Sequence, residues 1–116
     1  MAAGGESAAE HRAHTLMAAE AASRVLVLFE RERPGDARPR RAVEAAFAWI
    51  RGEVDDAEAR AASVAAEAAA KEATGEAARS AARSASNAAA SAHVVDRAKR
   101  AVAYADRALR EARDAQ

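Results

Sequence analysis

No cysteine occurs in the sequence, which excludes disulfide bonds, thiolate metal sites and a cysteine nucleophile. A protein without disulfide bonds is most simply expected in the cytoplasm. Aromatic residues make up only 3% of the chain, whereas about a third of all positions are alanine. Each buried side chain therefore removes little apolar area from water, and stability has to come from many close contacts between helices.

An excess of one charge is also lacking, because 18 Lys and Arg residues are balanced by 18 Asp and Glu residues. A nucleic-acid-binding protein needs a strong positive field, so no nucleic-acid partner is expected. No apolar run approaches the roughly 18 residues of a membrane span. The first residues lack the basic and apolar regions of a signal peptide. These absences again favour a cytoplasmic protein with no membrane partner.

Alanine, glutamate and arginine dominate the sequence, and β-branched and aromatic residues never alternate over the length of a strand. The composition therefore predicts an all-α fold. The length fits a single domain over residues 1–116, in which residues 1–6 are expected to be frayed. We expect an antiparallel bundle of four or five helices with close packing between alanine-rich faces.

The first predicted helix runs from about Glu6 to Arg33 and ends at Pro34 and Gly35. Its central segment, Val25 to Phe29, is apolar on every face. A turn of this kind is expected to be surrounded by other helices, so we place it in the middle of the core.

A second helix is expected to begin after a cap at Asp36 and to continue to Arg51, with Gly52 as its C-terminal cap. Pro39 is tolerated because it lies in the first turn, where a backbone N–H has no intrahelical partner. Helical spacing produces an apolar stripe formed by Val43, Phe47 and Ile50, with Trp49 on its flank.

The third helix is predicted from about Asp56 to Thr74, where Asp55 and Glu58 have the spacing of a capping box. Gly75 is expected to be its C-terminal cap. Alanines of this helix and the next should form rows that let helix axes approach to about 8 Å. These residues are Ala61, Ala65, Ala68 and Ala69 in the third helix and Ala77, Ala81, Ala85, Ala88 and Ala92 in the fourth.

Residues 76–116 contain neither proline nor glycine. A single helix of that length would be roughly 60 Å long at 1.5 Å per residue, which is too long for one compact domain. We expect a break either near residues 84–87, where weak helix formers cluster, or near residues 96–100, and slightly favour the second position.

Histidines offer two spacings suited to chemistry. His11 and His14 lie three residues apart, but no third ligand is placed beside them, so surface histidines are favoured over a metal site. His93 and Asp96 have the same spacing, and in a helix they could form a pair that orients a base. Because no nucleophile is fixed beside them, structural pairing or partner contact is favoured. We predict no catalytic residue, no metal and no cofactor.

An arginine cluster opens the second helix, where positive charge opposes the helix dipole. Its members are Arg38, Arg40 and Arg41. Such a cluster can bind phosphate groups or a carboxylate-rich protein surface. It can equally pair with Asp36, Glu44 and acids of a neighbouring helix, and both interpretations stay open.

Several segments, taken together, carry a family resemblance. They are His14–Ala19, Val25–Glu30, Arg38–Ala46 with Trp49 and Gly52, Ala92–Asp96 and Ala103–Ala105. In these segments the chain resembles bacterial immunity proteins with an immunity-protein-five-like helical domain. The resemblance covers about His11 to Ala105, and its most specific parts are the Arg-Pro-Arg helix start and the later His-x-x-Asp.

The resemblance implies a protein that binds and neutralises a toxin without turnover. Arg and Trp are common hot-spot residues, so the candidate contact residues are Arg38, Arg40, Arg41, Trp49, His93 and Asp96. The family pattern has Trp at Met17, Asp-Cys at Glu20-Ala21, and His at Asn87 and Arg97. This chain therefore lacks most of the histidines around which a ligand could gather.

Two other interpretations stay open. The alanine faces of two chains can pack into a homodimer whose role is structural. The least favoured interpretation is a small enzyme or ligand-binding domain centred on His93 and Asp96, which needs a pocket that a sequence cannot show.

Overall fold

The computed structural model describes residues 7–115, so the expected fraying of residues 1–6 lies outside the described residues. The described residues form five α-helices and no strand. The helices are α1 (Ala8–Glu32), α2 (Arg38–Ile50), α3 (Asp56–Glu72), α4 (Glu76–Ala90) and α5 (Arg97–Asp114). In this part of the chain, no helix has both the length and the apolar character needed to cross a membrane. The predicted all-α bundle is confirmed.

Contacts between helix ends show that consecutive helices run antiparallel. Arg40 at the start of α2 contacts Glu30 at the end of α1, and Trp49 at the end of α2 contacts His11 at the start of α1. The same crossing pattern joins α3 to α4 and α4 to α5. This arrangement follows from short connections between helices, which leave neighbours in sequence as neighbours in space.

Local interactions define three helix ends, of which the cap at the start of α3 and the cap at the end of α2 were predicted from the sequence. Ser7 and Asp55 each form a capping box with the glutamate three residues later. Gly52 has a φ of 75°, the left-handed region that favours glycine. Its N–H donates to the Trp49 carbonyl at 3.0 Å, and the next N–H, of Glu53, reaches back to the carbonyl of residue 48 at 2.9 Å. This pair of bonds ends α2 as a Schellman motif.

Two predicted caps differ in the structure. Asp36 precedes the N-cap residue, Ala37, yet its Oδ1 still accepts the N–H of Arg38 at 3.1 Å. The prediction for Gly75 is wrong, because α3 ends at an extended residue and Gly75 is the N-cap of α4, with a φ of −78°. The carboxylate of Glu32 holds this turn instead, accepting the N–H groups of Thr74 at 2.9 Å and Gly75 at 2.7 Å.

The break in the last helical region lies at residues 91–96 and adjoins the second of the two expected positions. Residues 84–87 stay helical because their hydroxyl groups find partners on neighbouring helices. Ser84 donates to the Ala101 carbonyl at 2.7 Å, and Ser86 donates to the Ser63 carbonyl at 2.9 Å. These interhelical bonds outweigh the weak helix propensity of serine.

The centre of the bundle is α4, which packs against each of the other four helices and buries every residue from 84 to 90. The expectation that Val25 to Phe29 would be surrounded is therefore only partly correct. Phe29 is fully buried, but Val27 is 46% exposed. A helix made of alanine and serine can be approached on all sides, whereas larger side chains hold neighbours away.

The alanine row predicted for the fourth helix is buried except for the half-buried Ala77, whereas the row predicted for α3 is only partly correct. In α4, Ala81, Ala85 and Ala88 are fully buried. In α3, the predicted Ala69 is fully buried, but Ala61 is exposed and Ala65 and Ala68 are half-buried. The other buried positions of α3 are Ala59, Ser63, Ala66 and Ala70. Alanine occurs on every face of α3, so its spacing alone cannot specify which face turns inward.

The four outer helices form an open ring around α4. Contacts join α3 to α2, α2 to α1 and α1 to α5, but α3 and α5 make no close contact in the described part of the chain. The bundle is therefore open along one side of α4. We call this opening the α3/α5 groove.

Candidate partner-binding surfaces

Two arginines and two acids meet where α1 ends, α2 begins and α3 ends. Arg38 donates through Nε and Nη2 to the Asp36 carboxylate at 2.9 and 2.6 Å. The same guanidinium reaches Glu72 of α3 at 2.8 and 3.3 Å. Arg33 lies 3.7 Å from Asp36 and 3.6 Å from Glu72. We call Arg33, Asp36, Arg38 and Glu72 the ion-pair cluster; it joins three helices.

The pKa values of the ion-pair cluster follow from these contacts. Hydrogen bonds from Arg38 lower the pKa of Asp36 to about 2, although burial acts in the opposite direction. Hydrogen bonds from Arg38 also lower the pKa of Glu72. In return, Asp36 and then Glu72 raise the pKa of the Arg38 guanidinium. Asp36, Arg38 and Glu72 are therefore all charged at neutral pH.

The other two arginines of the helix start have different environments. Arg40 forms a bidentate pair with Glu30 of α1, with both distances at 2.7 Å. Arg41 is exposed, and no carboxylate within residues 7–115 forms a salt bridge with it. The expected pairing with acids of neighbouring helices is thus present for Arg38 and Arg40.

The opposite end of the bundle contains a contact between rings. The His11 and Trp49 ring centroids are 4.8 Å apart, with the planes tilted by 52°. Trp49 donates through Nε1 to Asp56 at 2.7 Å, which joins α2 to α3. His11 Nε2 lies 2.6 Å from the Ser91 carbonyl, and since a carbonyl can only accept, this nitrogen carries the proton.

Of the two histidines expected at the surface, His14 is exposed, whereas His11 is half-buried and contacts Trp49 and Ser91. Over the described range, no group of three or more histidine and acidic side chains is arranged to hold a metal ion.

His93 and Asp96 do not form the predicted helical pair, because both lie in the connection between α4 and α5. The chain turns there through backbone bonds such as His93 N–H to the Ala90 carbonyl at 3.1 Å. No hydrogen bond or salt bridge joins the His93 and Asp96 side chains in the described structure. Asp96 is the N-cap residue of α5, without a side-chain cap bond. His93 instead lines the α3/α5 groove.

The α3/α5 groove is floored by small side chains and walled by cations. The residues that define it are Ser86 and Ala90 of α4, Arg60 and Lys71 of α3, and His93 and Arg97 at the α5 end. Sequence reasoning did not identify Arg60 or Lys71 as site residues. Their separation of eleven residues places both on one helical face after three turns, and this was the available signal.

Cations in the groove outnumber acids. Arg60 and Lys71 are exposed, and neither forms a salt bridge with a carboxylate within residues 7–115. Arg97 donates to the neutral amide oxygen of Asn87 at 3.2 Å. The acid that lines the groove, Glu67, is already paired with Arg83 at 3.6 Å. The groove therefore carries net positive charge in a chain whose total charge is zero.

His93 is affected by this positive environment. Partial burial lowers the pKa of the His93 imidazole, and the charge of Arg60 lowers it further. Asp56 opposes the shift and Arg97 adds to it. The His93 side chain is therefore neutral at neutral pH.

The six candidate contact residues thus occupy separate surfaces. Arg38, Arg40 and Arg41 lie at one end of the bundle. Trp49, His93 and Asp96 lie at the other end, where α2 and α4 finish and α5 begins. A partner that touches all six would have to extend along the length of the bundle.

Comparison with known protein families identifies a match. A family model described as Imm-5 like putative immunity protein matches residues 7–116, which is nearly the whole chain. No match is found among curated proteins or among solved structures.

Proposed function

The chain belongs to the Imm-5 like putative immunity protein family, as the sequence resemblance predicted, and on that premise we propose that it binds and neutralises a toxin or another protein partner without catalysis. The family match over residues 7–116 is the observation that carries this proposal. The chain acts, in this proposal, by occupying a surface of its partner.

The architecture supports a binding role because it holds exposed side chains on a rigid frame. Polar contacts join α1 to α2 and α4 to α5, and they join α2 to α3 at both ends of the bundle. The packing of all four outer helices against α4 restricts their movement. A preorganised surface loses little conformational entropy on association, which favours affinity.

We propose two roles for the candidate residues at the start of α2. Arg41 is exposed, and since no described carboxylate pairs with it, its guanidinium can donate to a partner. Arg38 and Arg40 are held by acids of this chain and orient the helix start. At the other end, Trp49 and His93 offer an aromatic surface beside the groove, with Asp96 next to it.

The direct test of this proposal uses a toxin-domain protein encoded by a neighbouring gene. We expect the two purified proteins to form a stable complex in size-exclusion chromatography, and co-expression to restore the growth of cells that make the toxin. A toxin that retains full activity beside a folded excess of this chain would contradict the proposal.

Two further measurements separate the alternatives. Charge reversal by Arg41→Glu should weaken capture of the toxin, with helicity by circular dichroism unchanged. Sedimentation velocity addresses the structural homodimer, because a monomer at all concentrations would exclude an obligate dimer.

A further inference from the structure

The α3/α5 groove contains charge that the fold itself does not use. Elsewhere the arginines of helix ends face carboxylates across helices, as Arg38 and Arg40 do. Within residues 7–115, Arg60 and Lys71 of the groove form no salt bridge with a carboxylate. The Arg97 side chain donates a hydrogen bond to the neutral side-chain amide of Asn87. Glu67, the acid in the lining, is paired with Arg83, so the groove keeps an excess of positive charge that favours a ligand of opposite charge.

The distance between the cations of the groove indicates the length of ligand that can contact both of them. Arg60 and Lys71 are three helical turns apart, which is about 16 Å along α3 at 1.5 Å per residue. An extended chain covers that distance with about five residues at 3.3 Å each. The floor, formed by Ser86 and Ala90, carries no long side chain that would block an entering segment.

The wall of the groove also has an apolar part. Val64 lies on α3 between the two cations, lines the groove and is 65% exposed. Apolar contact beside charge-assisted hydrogen bonds is typical of protein interfaces. A nucleic-acid strand would favour stacking platforms, and the described lining contains no Phe, Tyr or Trp.

We propose that the α3/α5 groove binds an acidic segment of a protein partner, with its carboxylates paired to Arg60, Lys71 and Arg97 and an apolar side chain against Val64. This inference rests on the proposed function for the existence of a protein partner. It adds the chemistry by which that partner is recognised.

The test uses the full chain and a fluorescently labelled poly-L-glutamate probe, with binding followed by fluorescence anisotropy. The groove variant Arg60→Glu/Lys71→Glu is compared with the control variant Arg24→Glu/Arg31→Glu. The two variants change net charge equally, and Lys71 and Arg31 each lie in the last turn of their helices. The control residues are exposed on α1 and do not line the groove.

We expect the groove variant to bind the probe at least tenfold more weakly than the unmodified chain, while the control changes affinity by less than about threefold. The milder variant Arg60→Gln/Lys71→Gln should lose an intermediate amount of affinity for the probe. It replaces the charge-reversed variant in the comparison if that variant does not fold. Equal losses in groove and control variants, or no binding by the unmodified chain, would overturn the inference. So would tighter binding to a labelled oligothymidylate than to poly-L-glutamate.

Capture of the neighbouring toxin separates this inference from the proposed function. A groove variant that loses both the probe and the toxin supports the inference. If it captures the toxin as well as the unmodified chain does, the groove assignment is wrong while the immunity function stands. If the unmodified chain binds the probe through the groove but captures no toxin, the immunity function fails and the recognition of acidic chains stands.

Discussion

The ion-pair cluster and the α3/α5 groove use the same kinds of cation in opposite ways. In the ion-pair cluster, Arg38 donates hydrogen bonds both to Asp36, in the connection before α2, and to Glu72, at the end of α3. In the groove, Arg60 and Lys71 extend from one helix toward solvent and form no salt bridge with the described acids. Cations of the first kind stabilise the fold, and cations of the second kind are available to a partner. The total charge of zero conceals this division.

The largest effect on stability is expected from breaking the ion-pair cluster with Arg38→Gln. This change leaves the shielded Asp36 carboxylate without its main donor, and it separates the start of α2 from the end of α3. We expect the melting temperature to fall by about 5 °C, measured by circular dichroism. Arg41→Gln is the matched control on the same helix turn and should change it by less than about 1 °C. Equal shifts for both variants would show that the pairing adds nothing to stability.

The second largest effect on stability is expected from acid, which should weaken the ion-pair cluster. The pKa of Asp36 is about 2 in the folded protein, against an ordinary value of 3.8. Because the folded pKa is the lower one, the stabilisation is fully present above the ordinary value and is lost as the pH falls toward the folded value. Urea unfolding between about pH 4 and pH 2 should therefore show a steep loss. Asp36→Asn should flatten that profile, and an unchanged slope would contradict the assignment.

A smaller effect is expected from Glu32→Gln. The Glu32 carboxylate accepts two backbone N–H groups, from Thr74 and Gly75, at the turn before α4. Weakening these two hydrogen bonds resembles the loss of a helix cap, which lowers the free energy of unfolding by about 1 kcal/mol. Chemical unfolding measures the difference, with the exposed Glu44→Gln as control. Because the hydrogen-bond donors to Glu32 are neutral backbone groups, this loss should shrink less at high salt than the loss in Arg38→Gln.

The smallest effect concerns the groove and leaves stability nearly unchanged. Arg60 lowers the pKa of His93, so Arg60→Glu should raise it by replacing repulsion of the imidazolium with attraction. Titration of the His93 ring protons by NMR measures this shift directly. In Arg24→Glu, a control on α1, the pKa of His93 should stay in place. An unmoved value in the groove variant would show that Arg60 does not act on His93.

Helix positions were predictable from sequence wherever the signal was local. Asp55 and Glu58 interact within one turn, and Gly52 ends α2 through its own backbone freedom. The turn at Gly75 was not predictable, because it depends on Glu32, more than forty residues earlier in the chain. Local patterns therefore located the helices but could not show which distant side chain completes a turn.

The candidate site was only partly predictable for the same reason. The arginine cluster at the start of α2 was recognised, but its division into paired Arg38 and exposed Arg41 depends on acids brought near by folding. The groove was missed because it exists only where α3 and α5 fail to meet. His93 was selected for its spacing to Asp96, yet its position follows from the chain turn after α4.

The position of α4 in the sequence also determines when the core can close during synthesis. A nascent chain that has emerged as far as Glu72 has three helices whose inward faces surround a missing centre. Those faces stay in water until residues 76–90 have left the ribosome, and α5 then covers another side of α4. Closure of the core is therefore a late event in translation, and the three-helix precursor is the species most exposed to aggregation and to chaperones.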